Sequence, residues 1–225
     1  MEVNTLNACS FLQPLIVNKY EQINSKYDYN FDNNILNMFN YSLKMYTNFI
    51  NDNNYNPSII EDAIFKYYMS EKIIEKYSYD TKIKNCILIA SFLSTLYDLD
   101  PNIKINDFIL GSLDEKNMII DMINLIYQNN TIVEEYMLIP KYITIIDKIG
   151  RPGIYRFINY LKQSNNNYNL YNEMMTYCNI ILNYTFNINQ INHLYNLRIK
   201  EVKKLYEFVK TKDNISIKDI LSFID

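Results

Sequence analysis

Three glycines and five prolines in 225 residues leave few positions where the backbone can turn sharply or adopt a left-handed conformation. Sheets use glycine at turns, bulges and phosphate-binding loops, whereas helices do without it. The chain is therefore expected to be all-α. The apolar pattern agrees, because Ile35, Phe39, Leu43, Tyr46 and Ile50 recur at intervals of four and three, which places them on one face of a helix. Strict period-two alternation never extends beyond a few residues, so a sheet has no support.

Similar stripes follow one another along the chain. Asn56-Pro57 reads as a helix start, with an Asn cap and a Pro at the first helical position. Ile60, Ala63, Ile64, Tyr67 and Tyr68 continue from it. Asp80 is the expected cap of the next helix, which carries Ile83, Cys86, Ile87, Ala90, Leu93 and Tyr97. Its Cys86–Ala90 stretch is the most apolar in the chain and marks a central, buried helix. A short stripe from Ile103 to Ile109 and a longer one through Met118, Ile119, Met122, Leu125 and Ile126 come next. Val133, Met137 and Leu138 suggest a helix ended by Pro140. Gly150-Arg151-Pro152-Gly153 holds two of the three glycines and reads as the join between two halves. Beyond it lie stripes at Ile154–Leu161, Leu170–Leu182 and Ile191–Val209, the last as one long helix or a broken pair. An Asn-rich loop at 164–167 interrupts them, and a final helix is capped by Ser216. Residues 1–30 are irregular, with Leu12, Leu15, Ile16 and Tyr20 able to form one short helix. The expected organisation is an extension at 1–30, a first helical box at 31–150 and a second, shorter one at 151–225.

Charge narrows the function classes. Charged residues are 21% of the chain, so much of the solvent face must be Asn and the 22 Tyr. A net charge of −3 offers no basic field for capturing nucleic acid, so none is expected as a partner. Arg198, Lys200, Lys203 and Lys204 form a local patch that reads as a solvated helix face. Cys9, Cys86 and Cys178 are odd in number, widely separated and flanked by apolar residues, the pattern of reduced core thiols. No stretch reaches the ~20 apolar residues of a membrane span, and the start lacks the regions of a signal peptide. A soluble protein of the cytosol or nucleus is expected.

Catalytic patterns are scarce. His193 is the only histidine, which rules out sites built on two or three. The cysteines have no CxxC spacing, and no glycine-rich phosphate loop occurs. Glu61-Asp62 and Glu134-Glu135 read as solvated charges. Tyr67, Tyr68 and Tyr77 could stack on bases, but without a basic groove they read as core and boundary residues. No cofactor or metal is expected, and the chain reads as a binding protein rather than an enzyme.

Two stretches resemble the cyclin family. The first is Lys82-Ile83-Lys84-Asn85-Cys86-Ile87-Leu88-Ile89-Ala90-Ser91, followed by Tyr97, Pro101 and Ile105-Asn106-Asp107-Phe108. It is similar to the third helix of the first cyclin box and to the aspartate-phenylalanine pair that opens the fourth. The second, Ile149-Gly150-Arg151-Pro152 with Phe157, Tyr160 and Leu161, resembles the link between the two boxes and the helix after it. Ile59 to Met69 resembles the second helix. The resemblance spans residues 35–210 and implies two consecutive five-helix boxes, with an insertion near 129–148. It also implies a regulatory subunit that docks on a protein kinase or transcription machinery. On this likeness the kinase-contacting lysine falls at Phe92 and the glutamate of the fifth helix near Asp121. Phe92, Asp121, Lys84 and Asp107 are then the candidate partner-binding residues.

A second resemblance is to the small helical poxviral proteins that share the fold of apoptosis regulators, carried by Ile60-Glu61-Asp62-Ala63-Ile64-Phe65-Lys66-Tyr67-Tyr68. The abundance of Asn, Ile, Lys and Tyr suits an AT-rich viral or protist genome. This likeness implies a single bundle around one central hydrophobic helix, and an inhibitor of apoptosis or innate signalling that binds host adaptor proteins. Exposed Tyr and Ile also leave room for a homo-oligomer.

Overall fold

The computed structural model describes residues 33–56, 58–100, 102–128, 133–163, 169–212 and 214–224. All regular structure among them is helical, as the glycine scarcity requires. Pro57, Pro101, Cys9, the Leu12–Tyr20 stripe and the 164–167 loop lie outside the described residues. The chain divides into two compact units, one up to Lys141 and one from Tyr142.

The first unit contains α1 (Asn33–Asp52), α2 (Ser58–Ile74), α3 (Thr81–Leu93), the single turn α4 (Leu96–Leu99) and α5 (Leu113–Tyr127). Two 3-10 turns, Ile105–Phe108 and Glu135–Leu138, flank α5. Asp80 caps α3 as expected, its carboxylate accepting from the Ile83 amide at 2.8 Å. Every residue of α3 from Asn85 to Leu93 is buried, so this helix has no solvent face beyond its first turn. Against it pack α1, α2 and α5. Small side chains make the α2 contact close: Ala90 and Ser91 are buried, and Ser70 Oγ donates to Ser91 Oγ at 2.6 Å. A buried hydroxyl pair of this kind satisfies both polar atoms without water.

Asp107 and Phe108 lie in the first 3-10 turn and do not open a long helix. That turn is tied to α1 by Ser42 Oγ donating to the Phe108 carbonyl at 2.6 Å and Tyr41 Oη to the Asp107 carbonyl at 3.1 Å. The following helix, α5, starts at its own signal, a capping box. The Glu115 amide donates to Ser112 Oγ at 3.4 Å, and the Ser112 amide donates to the Glu115 carboxylate at 2.8 Å.

The division between units falls within α6 (Ile139–Asp147), upstream of the glycine-rich link. Pro140 is the second residue of α6 and so starts this helix rather than ending one. Proline is tolerated there because first-turn amides have no helical acceptor. The second unit continues with α7 (Arg151–Gln163), α8 (Leu170–Leu182), the unbroken α9 (Asn189–Lys210) and α10 (Ile217–Ile224). Ser216 caps α10, accepting from the Asp219 amide at 3.2 Å.

Gly150 and Gly153 form the corner between α6 and α7, inside the second unit. Gly150 has φ +81°, a conformation that costs an L side chain about 1–2 kcal/mol. At Gly153 the constraint is space, because a Cβ there would lie 1.8 Å from the Lys148 carbonyl oxygen. All three arginines of the chain bind this corner. Arg151 pairs with Glu201 (Nε to Oε1, 3.2 Å), Arg156 with the buried Asp147 (Nη1 to Oδ2, 2.5 Å), and Arg198 Nη1 donates to the Ile146 carbonyl at 3.1 Å. Tyr177 Oη donates to the Lys148 carbonyl at 2.9 Å.

Two predictions follow from this packing. Gly153→Ala is expected to destabilise by at least about 3 kcal/mol and Gly150→Ala by about 1–2, measured by urea unfolding of each variant. The second concerns alkaline pH. Burial pushes the Cys86 and Cys178 thiols up to about 12, from 9.0, and raises the Tyr46, Tyr67 and Tyr177 phenols. Folding holds these groups neutral, whereas the unfolded chain ionises them near their ordinary values. Their stabilisation is complete below pH ~9 and is lost as pH rises toward ~12. The urea midpoint should therefore fall steadily from pH ~9 to ~11; a flat profile would contradict the burial of these groups.

Candidate protein-binding surface

The four residues singled out by sequence separate into core and surface. Phe92 is 0% exposed, its ring 5.1 Å from that of Phe39 and 5.5 Å from that of Tyr46. A partner cannot touch it without opening the core, so Phe92 is corrected from a surface contact to a packing residue. The cause is its position near the end of α3, where the aromatic side chains of α1 cover it. Lys84 is half-buried in the first turns of α3, and Asp107 is exposed in its 3-10 turn. Asp121 is exposed on α5 and makes no ion pair among the described residues.

Asp121 lines an open depression of about 230 Å³. It is lined by Asp121, Asn124 and Leu125 of α5, by Gln128 at the C-cap of that helix, by Met137 of the second 3-10 turn and by Val133 just before that turn. Lys141 Nζ donates to the Gln128 carbonyl at the end of α5, which places a cation where the helix dipole favours one. Partial burial lowers the pKa of this lysine. The neighbouring Tyr136 ring lies 5.8 Å from Tyr79, which is stacked on Tyr77 at 5.1 Å and 6°. Burial, then the nearby Glu135 carboxylate, raises the Tyr77 phenol; burial, then Tyr77 and Glu135, raises Tyr79. The result is a groove with an apolar and amide lining, a carboxylate at its edge and a tyrosine stack beside it. Such a surface suits an apolar side chain flanked by a cation.

Charge distribution reinforces this picture. Residues 1–141 hold 11 Lys and Arg against 18 Asp and Glu, a net −7, whereas residues 142–225 hold 11 against 7, a net +4. The Asp121 groove thus lies on the acidic unit, where potentials favour cationic partners.

Other sequence candidates resolve quietly. Tyr67 is core, 4.7 Å from Phe39. Glu134 and Glu135 are exposed, and His193 is exposed on α9. Among the described residues, no group of three or more His, Cys, Asp or Glu is placed to hold a metal ion. Among them also, no helix is long and apolar enough to cross a membrane. Sequence reasoning missed the groove wall at Val133 and Met137, because the stripe they form reads as an ordinary buried helix face. The exposed Leu113, 70% accessible at the start of α5, was also missed. No protein-family model, curated protein or solved structure matches this chain.

Substitution separates the two roles. Phe92→Ala is expected to cost about 3–5 kcal/mol, and Asp121→Ala to stay within about 0.5 kcal/mol of the parent, both read from urea unfolding.

Proposed function

We propose that this chain is a non-catalytic, cyclin-like regulatory subunit that docks on a protein kinase or on transcription machinery through the acidic groove of its first unit. The observation that carries this reading is Asp121, an exposed carboxylate that lines a groove together with Leu125, Val133 and Met137. On the cyclin resemblance Asp121 takes the place of the fifth-helix glutamate. Burial of Phe92 removes the contact that a lysine would make there, so docking rests on the α5 side and on Lys84. Asp107 is an exposed carboxylate on the first 3-10 turn, apart from the groove lining, and its carbonyl is fixed by Tyr41. A groove of mixed lining can receive an apolar side chain of a partner helix, and a few well-packed buried residues supply most of the affinity in such interfaces.

The test is capture from cell extract on the immobilised full chain, followed by a kinase assay on the recovered complex. A kinase or transcription factor is expected, with any kinase stimulated. The Asp121→Lys and Met137→Asp double variant is expected to weaken capture at least about tenfold with its melting temperature unchanged. Failure to recover either class of partner, with no kinase stimulated, would count against the proposal.

The second reading, a helical inhibitor of apoptosis or innate signalling, draws on α3, an apolar helix enclosed by α1, α2 and α5. Capture of an apoptotic or innate-immune adaptor in the same experiment would favour it.

A further inference from the structure

The last helices of the second unit carry a surface of opposite character. Arg198, Lys200, Lys203 and Lys204 all belong to α9, yet the fold separates them. The Arg198 guanidinium turns inward to the Ile146 carbonyl, while the three lysines stay exposed without a carboxylate partner among the described residues. Beside them Phe208 of α9 stacks on Phe223 of α10, with centroids 4.6 Å apart and planes 18° from parallel. Phe223 is still 36% exposed. Lys203, Lys204, Glu207, Phe208, Thr211 and Phe223 line an open depression of about 560 Å³.

Periodicity sets the shape of what fits. Lys200, Lys204 and Phe208 follow one ridge of α9 that leads to Thr211 at its C-cap, roughly 17 Å in all at about 1.5 Å per residue. That is the length of three helical turns. Between residues 200 and 212 five lysines face two glutamates, and Glu201 is already engaged by Arg151. The surface is therefore an aromatic floor with a net cationic margin. Lys200, Lys203 and Lys204 make no ion pair among the described residues, while Glu207 lines the depression and Asp219 lies near Lys212. Phe208 already has Phe223 against it and Lys212 Nζ 5.2 Å over its ring, and Glu207 sits in the margin. Base stacking and a phosphate backbone are both poorly served by that arrangement.

The geometry points to a docking site, centred on Phe208 and Phe223, for an acidic amphipathic helix of a partner protein. Apolar residues of the partner at i, i+3, i+4 and i+7 seat on the two rings, and its carboxylates meet Lys200, Lys203 and Lys204. This site is on the basic unit and does not depend on the function proposed for the Asp121 groove.

The chain has no tryptophan, so a peptide that carries one reports its own burial against a dark protein. The probe is a synthetic helical peptide of about 14 residues with Leu and one Trp on its apolar side and Asp and Glu elsewhere. Its control has Lys in place of every acid. Titration of the full-length chain is followed by the blue shift of the peptide Trp, excited where tyrosine absorbs little. The acidic peptide is expected to bind, at least about tenfold more tightly than the control, and to weaken steeply with added salt. Lys203→Glu with Lys204→Glu is expected to weaken it about tenfold or more, and Phe223→Ala comparably, with far-UV circular dichroism and melting temperature unchanged for the charge variant. Equal binding of the two peptides, or binding indifferent to the charge variant, overturns the proposal. So does binding of phosphatidylserine vesicles without the peptide. Light scattering that shows self-association lost in the charge variant, with no peptide binding, assigns the surface to a second copy instead and also overturns it.

Discussion

A helix without a solvent face has to be met on every side, and α3 imposes that condition on the first unit. From Asn85 to Leu93 each of its side chains is buried, so the neighbouring helices must match it in both shape and polarity. Phe39 and Tyr46 from α1 fit around Phe92, and α2 meets the small Ala90 and Ser91. On the α5 side the Cys86 thiol packs against the Glu115 carbonyl at 3.9 Å. Interiors are packed as densely as organic crystals, so a change at α3 is felt by all three neighbours. Among the polar side chains that α2 and α3 bury, Ser70 and Ser91 satisfy one another, which removes the penalty of burying that pair. The groove beside Asp121 is a by-product of the same arrangement: α5 is held inward by α3, and its outer side is left to face Met137.

In the second unit the organising constraint is electrostatic. The chain carries 19 lysines and 3 arginines, and every arginine is at the Gly150 corner. A guanidinium presents a planar fork of donors and stays charged when partly buried, which an ammonium does less well. Arg156 meets an Asp147 side chain that is 2% exposed, and Arg198 reaches a backbone carbonyl at the end of α6. Burial lowers the Arg198 pKa, while the nearby Asp147 and Glu201 carboxylates oppose that shift. The corner thus combines a left-handed glycine, a glycine without room for a Cβ and three cations bound to fixed acceptors. Among these pairings only Arg156–Asp147 has a buried carboxylate, and the attraction in such a pair is largely offset by the cost of desolvating that carboxylate.

The sequence was most legible where burial and local capping agree. Glycine scarcity announced helices, Asp80 and Ser216 announced caps, and the Cys86–Ala90 run announced the central helix. Pro140 misled because proline marks both ends of helices, and only the amides around it decide which. Phe92 misled for a different reason. Its place in a motif is a statement about one dimension, whereas exposure depends on which neighbour covers the residue in three, and Phe39 and Tyr46 lie some fifty residues earlier. The lysines of α9 show the converse. Their pattern is legible as charge, but only the position of Phe223 on another helix reveals that they border an aromatic surface.

Recognition in a chain of this composition has to rely on a few exceptions to its own rule. Most of its polarity is uncharged, carried by Asn and Tyr, which solvate a surface without directing partners to it at long range. Specificity must then come from the places where apolar groups stay exposed beside uncompensated charge. Two places set apolar groups beside such charge, the half-buried Met137 and Val133 near Asp121, and the partly exposed Phe223 near Lys203 and Lys204. They carry opposite signs on units whose net charges are −7 and +4. Opposite signs would favour a different class of partner at each proposed surface, because like charges across an interface repel at close range. On the docking proposed for each surface, a partner drawn to one would be discouraged from the other by charge alone.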